Sequence, residues 1–119
     1  MGKILIADDS LVEIKILESI LKTTSHQIII ARNGEEAEQT AKIVQPDLIF
    51  LDVIMPKKNG FQVCRDLRQD PLFKTTPIVM LTSKTQDSDK FWGKQQGATE
   101  YITKPYQAEK ILEILTKYL

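Results

Sequence analysis

The sequence predicts an α/β fold: a doubly wound, five-stranded parallel sheet with five helices on its two faces. Two patterns carry this. Five short apolar runs are each followed by a stretch with helical spacing, and alternation on that scale builds parallel strands joined by crossover helices. The third run, Asp47 to Leu51, is apolar from Leu48 onward, as in strands covered on both faces.

The elements follow in order. Lys3 to Ala7 reads as the first strand. A helix from about Leu11 to Lys22 places Leu11, Ile14, Leu17 and Leu21 on one stripe, with Ser10 as its cap. Gln27 to Ala31, rich in isoleucine, is the second strand. Asn33-Gly34 ends it and opens a helix with Ala37, Thr40, Ala41 and Val44 inward, which Pro46 stops. After the third strand, Asn59-Gly60 marks a turn before a helix from about Phe61 to Arg68, with Val63, Cys64 and Leu67 inward. Pro77 precedes the fourth strand, Ile78 to Leu81. A helix from about Gln86 to Gln96 follows and stops at Gly97. Tyr101-Ile102 is a short fifth strand. Beyond Pro105, a last helix carries Ala108, Ile111, Leu112, Leu115 and Leu119.

Composition narrows the function classes. A chain of 119 residues fits a single domain over 1–119. Sixteen basic residues match sixteen acidic ones, so no global charge draws it to nucleic acid or an anionic membrane. One cysteine allows no intrachain disulfide. The amino-terminal apolar stretch reaches Asp8-Asp9 too soon for a signal peptide or membrane span. Cytoplasm is the expected location, without membrane insertion.

Open parallel sheets form their sites beyond the carboxyl ends of the strands. There the sequence places Asp8-Asp9, Asp52, Thr82-Ser83 and Lys104-Pro105. Carboxylates brought together repel, and a cation is the simplest remedy. Hard oxygen donors favour Mg²⁺. A lysine and a hydroxyl suit phosphoryl oxygens, and an aspartate can serve as the nucleophile. The set reads as phosphoryl transfer onto Asp52.

From Lys3 to Leu119 the chain resembles the response-regulator receiver domains, the family of the bacterial chemotaxis regulator. The matching pieces are Ile-Ala-Asp8-Asp9-Ser, Leu-Asp52-Val-Ile-Met-Pro56, Gly60, Leu-Thr82-Ser83, Gly97-Ala98 and Tyr-Ile-Thr-Lys104-Pro105. The resemblance implies a flavodoxin-like receiver fold with strand order 2-1-3-4-5, the order of the chemotaxis regulator, which periodicity alone does not supply. It implies Asp52 as phosphoacceptor, and Asp8, Asp9, Asp52 and the Ile54 backbone carbonyl as Mg²⁺ ligands. Thr82 and Lys104 would hold phosphoryl oxygens, across a cis Lys104-Pro105 bond. Thr82 and Tyr101 would form the switch. The expected partners are a sensor histidine kinase or histidine phosphotransfer protein, and a downstream effector that reads the fourth helix, fifth strand and fifth helix. No direct nucleic-acid contact and no ordinary substrate turnover are expected. The stretch from Phe91 to Ala98 also resembles receivers of twitching or phototactic motility and sets Trp92 on the partner face.

Ile54 stands two residues after Asp52, and Lys84 two after Thr82. In this family those side chains overlook the incoming water. An isoleucine cannot orient water, so autodephosphorylation is expected not to be especially fast. Ile54 also argues against a haloacid-dehalogenase-type phosphatase, which needs an acid there. A flavin carrier would need a phosphate-cradling first loop in place of Asp8-Asp9. A pseudo-receiver is disfavoured, since the site residues are all present. Cys64 reads as core, His26 as surface, and Lys57-Lys58 as a solvated loop.

Overall fold

Aliphatic and β-branched runs suit a pleated surface covered on both sides. In the computed structural model, which describes residues 2–83 and 97–119, they form β1 (Lys3–Ala7), β2 (Gln27–Ala31), β3 (Leu48–Asp52), β4 (Ile78–Thr82) and β5 (Glu100–Thr103). All pairings are parallel, in the order β2-β1-β3-β4-β5. Every residue of β3 and β4 is buried, as their near-continuous apolar sequence requires.

Three strand boundaries differ from expectation. β3 starts at Leu48 and takes in Asp52, β4 runs on through Thr82, and β5 spans four residues. Asp47 lies just before β3, its carboxylate accepting the Lys3 N–H and its own N–H donating to the Lys3 carbonyl, both at 2.8 Å. Asp52 and Thr82 therefore each close a strand, with backbone direction set by the ladder.

The described helices are α1 (Leu11–Leu21), α2 (Gly34–Val44), α3 (Gly60–Arg68) and α4 (Ala108–Tyr118), with a 3-10 turn at Pro71–Phe73. Ser10, Asn33 and Asn59 cap the first three by accepting a backbone N–H three residues on. Both Asn-Gly pairs thus act alike: asparagine caps, and glycine is the first helical residue. Each glycine is required by close approach. A Cβ on Gly34 would stand 1.9 Å from the Lys58 carbonyl oxygen, and one on Gly60 would stand 2.2 Å from that of Asp52. The helix expected over about 86–96, with Phe91 and Trp92, lies outside the described residues, as does Lys84.

Strand residues alternate between two cores. Leu5, Ile49, Leu51 and Met80 face α2 and α3, where Ala41, Val63 and Leu67 meet them. Ile4, Ile6, Phe50 and Val79 face α1 and α4, against Leu17, Leu21 and Ile111. Cys64 is buried as expected, and burial pushes its thiol up to about 11. Leu11, Leu112 and Leu119, inner-stripe positions by spacing, are exposed instead. Leu11 opens α1 and Leu119 follows α4, where the stripe runs past the sheet. His26 is half-buried, and its Nδ1 accepts the Gly2 N–H at 2.8 Å. Arg68 reaches from α3 to the carbonyls of Phe73, Thr76 and Gly97 and to the Thr99 hydroxyl, tying α3 to the starts of β4 and β5.

Candidate functional site

Parallel pairing brings the carboxyl ends of all strands to one edge, and the site is built there. Asp8 and Asp9 follow β1, and Asp52 and Thr82 end β3 and β4. Thr82 is in register with Thr103, so Lys104 leaves β5 beside it, donating its N–H to the Thr82 carbonyl at 2.5 Å. The Lys104-Pro105 bond is cis. A cleft of about 330 Å³ gathers Asp8, Asp9, Asp52, Ile54, Thr82 and Lys104.

The three aspartates each offer a carboxylate oxygen within 4.8 Å of the others. Asp8 is fully buried and Asp52 nearly so, while Asp9 is exposed. The Lys104 ammonium lies between two of them, 3.0 Å from Asp52 Oδ1 and 3.1 Å from Asp8 Oδ2. The other Asp8 oxygen accepts the Ser10 N–H at 2.9 Å.

Among the described residues one ammonium faces the three aspartates, so negative charge is in surplus. Burial pushes the Asp52 carboxyl up to about 6, against the pull of Lys104, with Asp8 and Asp9 adding to the rise. Burial alone would lower Lys104, but Asp52 and Asp8 more than offset it and hold the ammonium above its ordinary range. A site of three oxygen donors with surplus negative charge fits a hard divalent cation of the Mg²⁺ or Mn²⁺ kind.

The loop from Asp52 to Asn59 closes one wall. The Val53 N–H donates to the Leu81 carbonyl at 3.0 Å, and the Val53 carbonyl accepts from Gly60 N–H at 2.8 Å. The next residue, Ile54, is 61% exposed at the cleft rim. Thr82 is buried. Tyr101, paired in register with Met80, is half-buried against the α2–α3 core, with its hydroxyl buried. Asp8, Asp9, Asp52, Ile54, Thr82, Ser83 and Lys104 line the cleft, while Pro105 faces a second groove instead. Tyr101 also stands apart, on the wall of that second groove, of about 490 Å³ along β5 and α4. Trp92 lies outside the described residues.

Two participants were not foreseen. Glu13 also lines the cleft, and the Tyr106 hydroxyl donates to its Oε2 at 3.2 Å. Burial first, and Glu13 next, raise the Tyr106 hydroxyl well above the usual phenol range. The available signals were a glutamate one turn into α1 and a tyrosine following Lys104-Pro105. Neither reveals that α1 starts against the loop after β5.

Comparisons with known proteins agree with this fold. The family model described as response regulator receiver domain matches residues 4–116. Protein PilH of Pseudomonas aeruginosa is 40% identical over 119 residues, covering 100% of this chain and 98% of that protein. The solved structure of Vibrio cholerae chemotaxis protein CheY4 superposes with a TM-score of 0.92 at 34% identity, covering 100% of this chain and 99% of that one. The Mn²⁺-bound form of response regulator Rcp1 superposes with a TM-score of 0.80 at 28% identity, covering 98% and 91%.

Proposed function

The chain belongs to the response regulator receiver family, and on that premise we propose that it accepts a phosphoryl group from phosphohistidine onto Asp52, with Mg²⁺ bound beside it, as a single receiver domain spanning 1–119. The observation that carries this is the Lys104 ammonium held between Asp8 and Asp52 while Asp9 stands within 4.8 Å. The Mn²⁺ in the Rcp1 structure supports a divalent cation in this role.

Asp8, Asp9 and Asp52, with the Ile54 carbonyl, would hold the cation. Once bound, it offsets the surplus negative charge of the carboxylates and of an incoming phosphoryl group. An Asp52 carboxylate oxygen attacks phosphorus in line. The P–N bond to the donor imidazole breaks, and the imidazole keeps the electron pair and takes a proton from solvent. Lys104 and the Thr82 hydroxyl each receive a phosphoryl oxygen, so catalysis is positioning and charge stabilisation. Hydrolysis reverses the modification: water attacks phosphorus, releases inorganic phosphate and restores the carboxylate. The exposed Ile54 side chain has no group to orient that water, so the step is slow.

Signal output follows from differential contacts in two states. Thr82 moves toward the phosphoryl oxygen, and Tyr101 responds on the adjacent strand. The readout face comprises β5, with Tyr101, and α4; the stretch the sequence adds to it, about 86–96 with Trp92, lies outside the described residues. Its reader is a downstream effector protein, and the donor is a sensor histidine kinase or histidine phosphotransfer protein. Similarity to the chemotaxis protein CheY4 supports a place in motility or taxis control. The balanced net charge favours protein partners over direct nucleic-acid contact. Among the described residues no helix is long and apolar enough to cross a membrane, and the cytoplasm is the proposed location.

The test is intact mass after incubation with acetyl phosphate and Mg²⁺, beside Asp52→Asn. One added phosphoryl group is expected, lost with EDTA and absent in the variant. Folded protein that gains none from acetyl phosphate or from a phosphorylated histidine-containing domain would refute the proposal.

A further inference from the structure

Glu38 in α2, Lys58 in the loop after β3 and Asp66 in α3 form an ionic cluster outside the cleft. Lys58 Nζ donates to Glu38 Oε2 at 2.5 Å and to Asp66 Oδ2 at 2.8 Å. The other Asp66 oxygen accepts from Gln62 Nε2 at 3.1 Å. None of the three ionic side chains is more than 29% exposed. Burial, with Asp66 adding to it, raises the Glu38 carboxyl even against Lys58. The lysine is therefore what allows two shielded carboxylates to sit together.

The adjacent pair Lys57–Glu35 is different. It spans 3.9 Å with both side chains more than half exposed, a geometry that contributes little. The expectation of a solvated Lys57-Lys58 loop holds for Lys57 and fails for Lys58.

The backbone shows what the cluster restrains. Lys57 adopts φ +70°, in the left-handed region, at a cost on the order of 1 kcal/mol for a non-glycine residue. The Lys58 N–H turns back to the Pro56 carbonyl at 2.7 Å, and that same carbonyl accepts the Gly34 N–H at 3.3 Å. The Lys58 carbonyl lies so close to Gly34 that no side chain fits between them. Side-chain and backbone ties thus meet at the far end of the segment whose near end is Asp52 and whose middle places Ile54 on the cleft wall.

We infer that Lys58 is a positioning residue for the divalent cation: clamped by Glu38 and Asp66, it holds the 53–59 loop so that Ile54 stays where the carboxylates converge. This rests on the proposed cation site. A lysine that only stabilised the fold would lower the melting temperature when replaced and leave the affinity of folded protein for cation unchanged. A positioning lysine changes that affinity.

The test is Mn²⁺ affinity, read from the EPR signal of free Mn²⁺, for wild type, Lys58→Met and Lys58→Arg. It is run at a temperature where thermal scans show all three folded. Lys58→Met is expected to bind Mn²⁺ about tenfold more weakly, the low end for outer-shell partners of a metal site. Lys58→Arg keeps a cation for both carboxylates and restores affinity to within about twofold. Wild-type affinity in folded Lys58→Met overturns the inference and leaves the cation site standing. Wild-type protein that binds no Mn²⁺ overturns both. Should Lys58→Met not fold, Glu38→Leu removes one arm of the clamp; weaker Mn²⁺ binding supports the inference and unchanged binding overturns it.

Discussion

Asp52→Asn should make the metal-free protein more stable at neutral pH. The Asp52 carboxyl is raised from 3.8 to about 6, chiefly by burial. A fold that raises an acid's pKa prefers the protonated form, so ionising Asp52 costs folded protein more than unfolded chain. Its contribution to stability is full below pH 3.8 and is lost as pH rises through about 6. A shift of about two units corresponds to about 3 kcal/mol. Asparagine resembles the protonated acid in shape and charge and avoids that penalty. The expected gain is therefore up to about 3 kcal/mol above pH 6, or roughly 10 °C in melting temperature for a domain of this size. It should shrink between pH 6 and 4 and vanish below. Urea unfolding of both proteins in EDTA across pH 4 to 8.5 measures it. Adding Mg²⁺ should narrow the gap by stabilising wild type through binding to the folded state. An Asp52→Asn protein less stable than wild type at pH 8, or a gain that persists unchanged at pH 4, would refute the reasoning.

Two further substitutions test the frame around Asp52. Lys104→Met leaves fully buried Asp8 and nearly buried Asp52 without their shared cation. It should cost about 3 kcal/mol in EDTA, the lower end for breaking a buried pair because Asp52 can take a proton. Urea unfolding should show part of that loss recovered in Mg²⁺, and ¹³C titration should show the Asp52 carboxyl rising above 6. Gly60→Ala would drive a methyl group to 2.2 Å from the Asp52 carbonyl oxygen, with backbone on both sides of the clash. A loss of about 3 kcal/mol is expected; near-wild-type urea stability would contradict that contact.

The cleft was legible because its residues obey one rule. Asp8, Asp9, Asp52, Thr82 and Lys104 each stand at or just past the carboxyl end of an apolar run, and parallel strands carry such ends to a single edge. No measurement of distance is needed to see that they converge. The strand order is different. Periodicity shows that strands exist but not which are neighbours, and 2-1-3-4-5 comes only with the family resemblance. Boundaries were legible to within a residue or two, since an acid or hydroxyl that continues the ladder looks like one that ends it. Leu11 shows the same limit for helices: the stripe counts positions, but burial depends on where the sheet stops beneath them.

Charge clusters lay beyond reach for a different reason. Lys57 and Lys58 are the same residue type at adjacent positions between a proline and an asparagine, and composition assigns both to solvent. They separate only in three dimensions. Lys58 finds Glu38, 20 positions earlier, and Asp66, eight positions later, because α2 and α3 pack side by side on one sheet face. Glu13 and Tyr106 are 93 positions apart and meet for a comparable reason: α1 and α4 share the other face. Both unforeseen clusters therefore join residues distant in sequence where two helices pack on one sheet face, and both reach loops that border the carboxylates. The strand ends present the chemistry, while contacts between helices decide how firmly the loops carrying it are held. Substitutions at Lys58 should accordingly alter cation affinity while leaving the identity of the ligands unchanged.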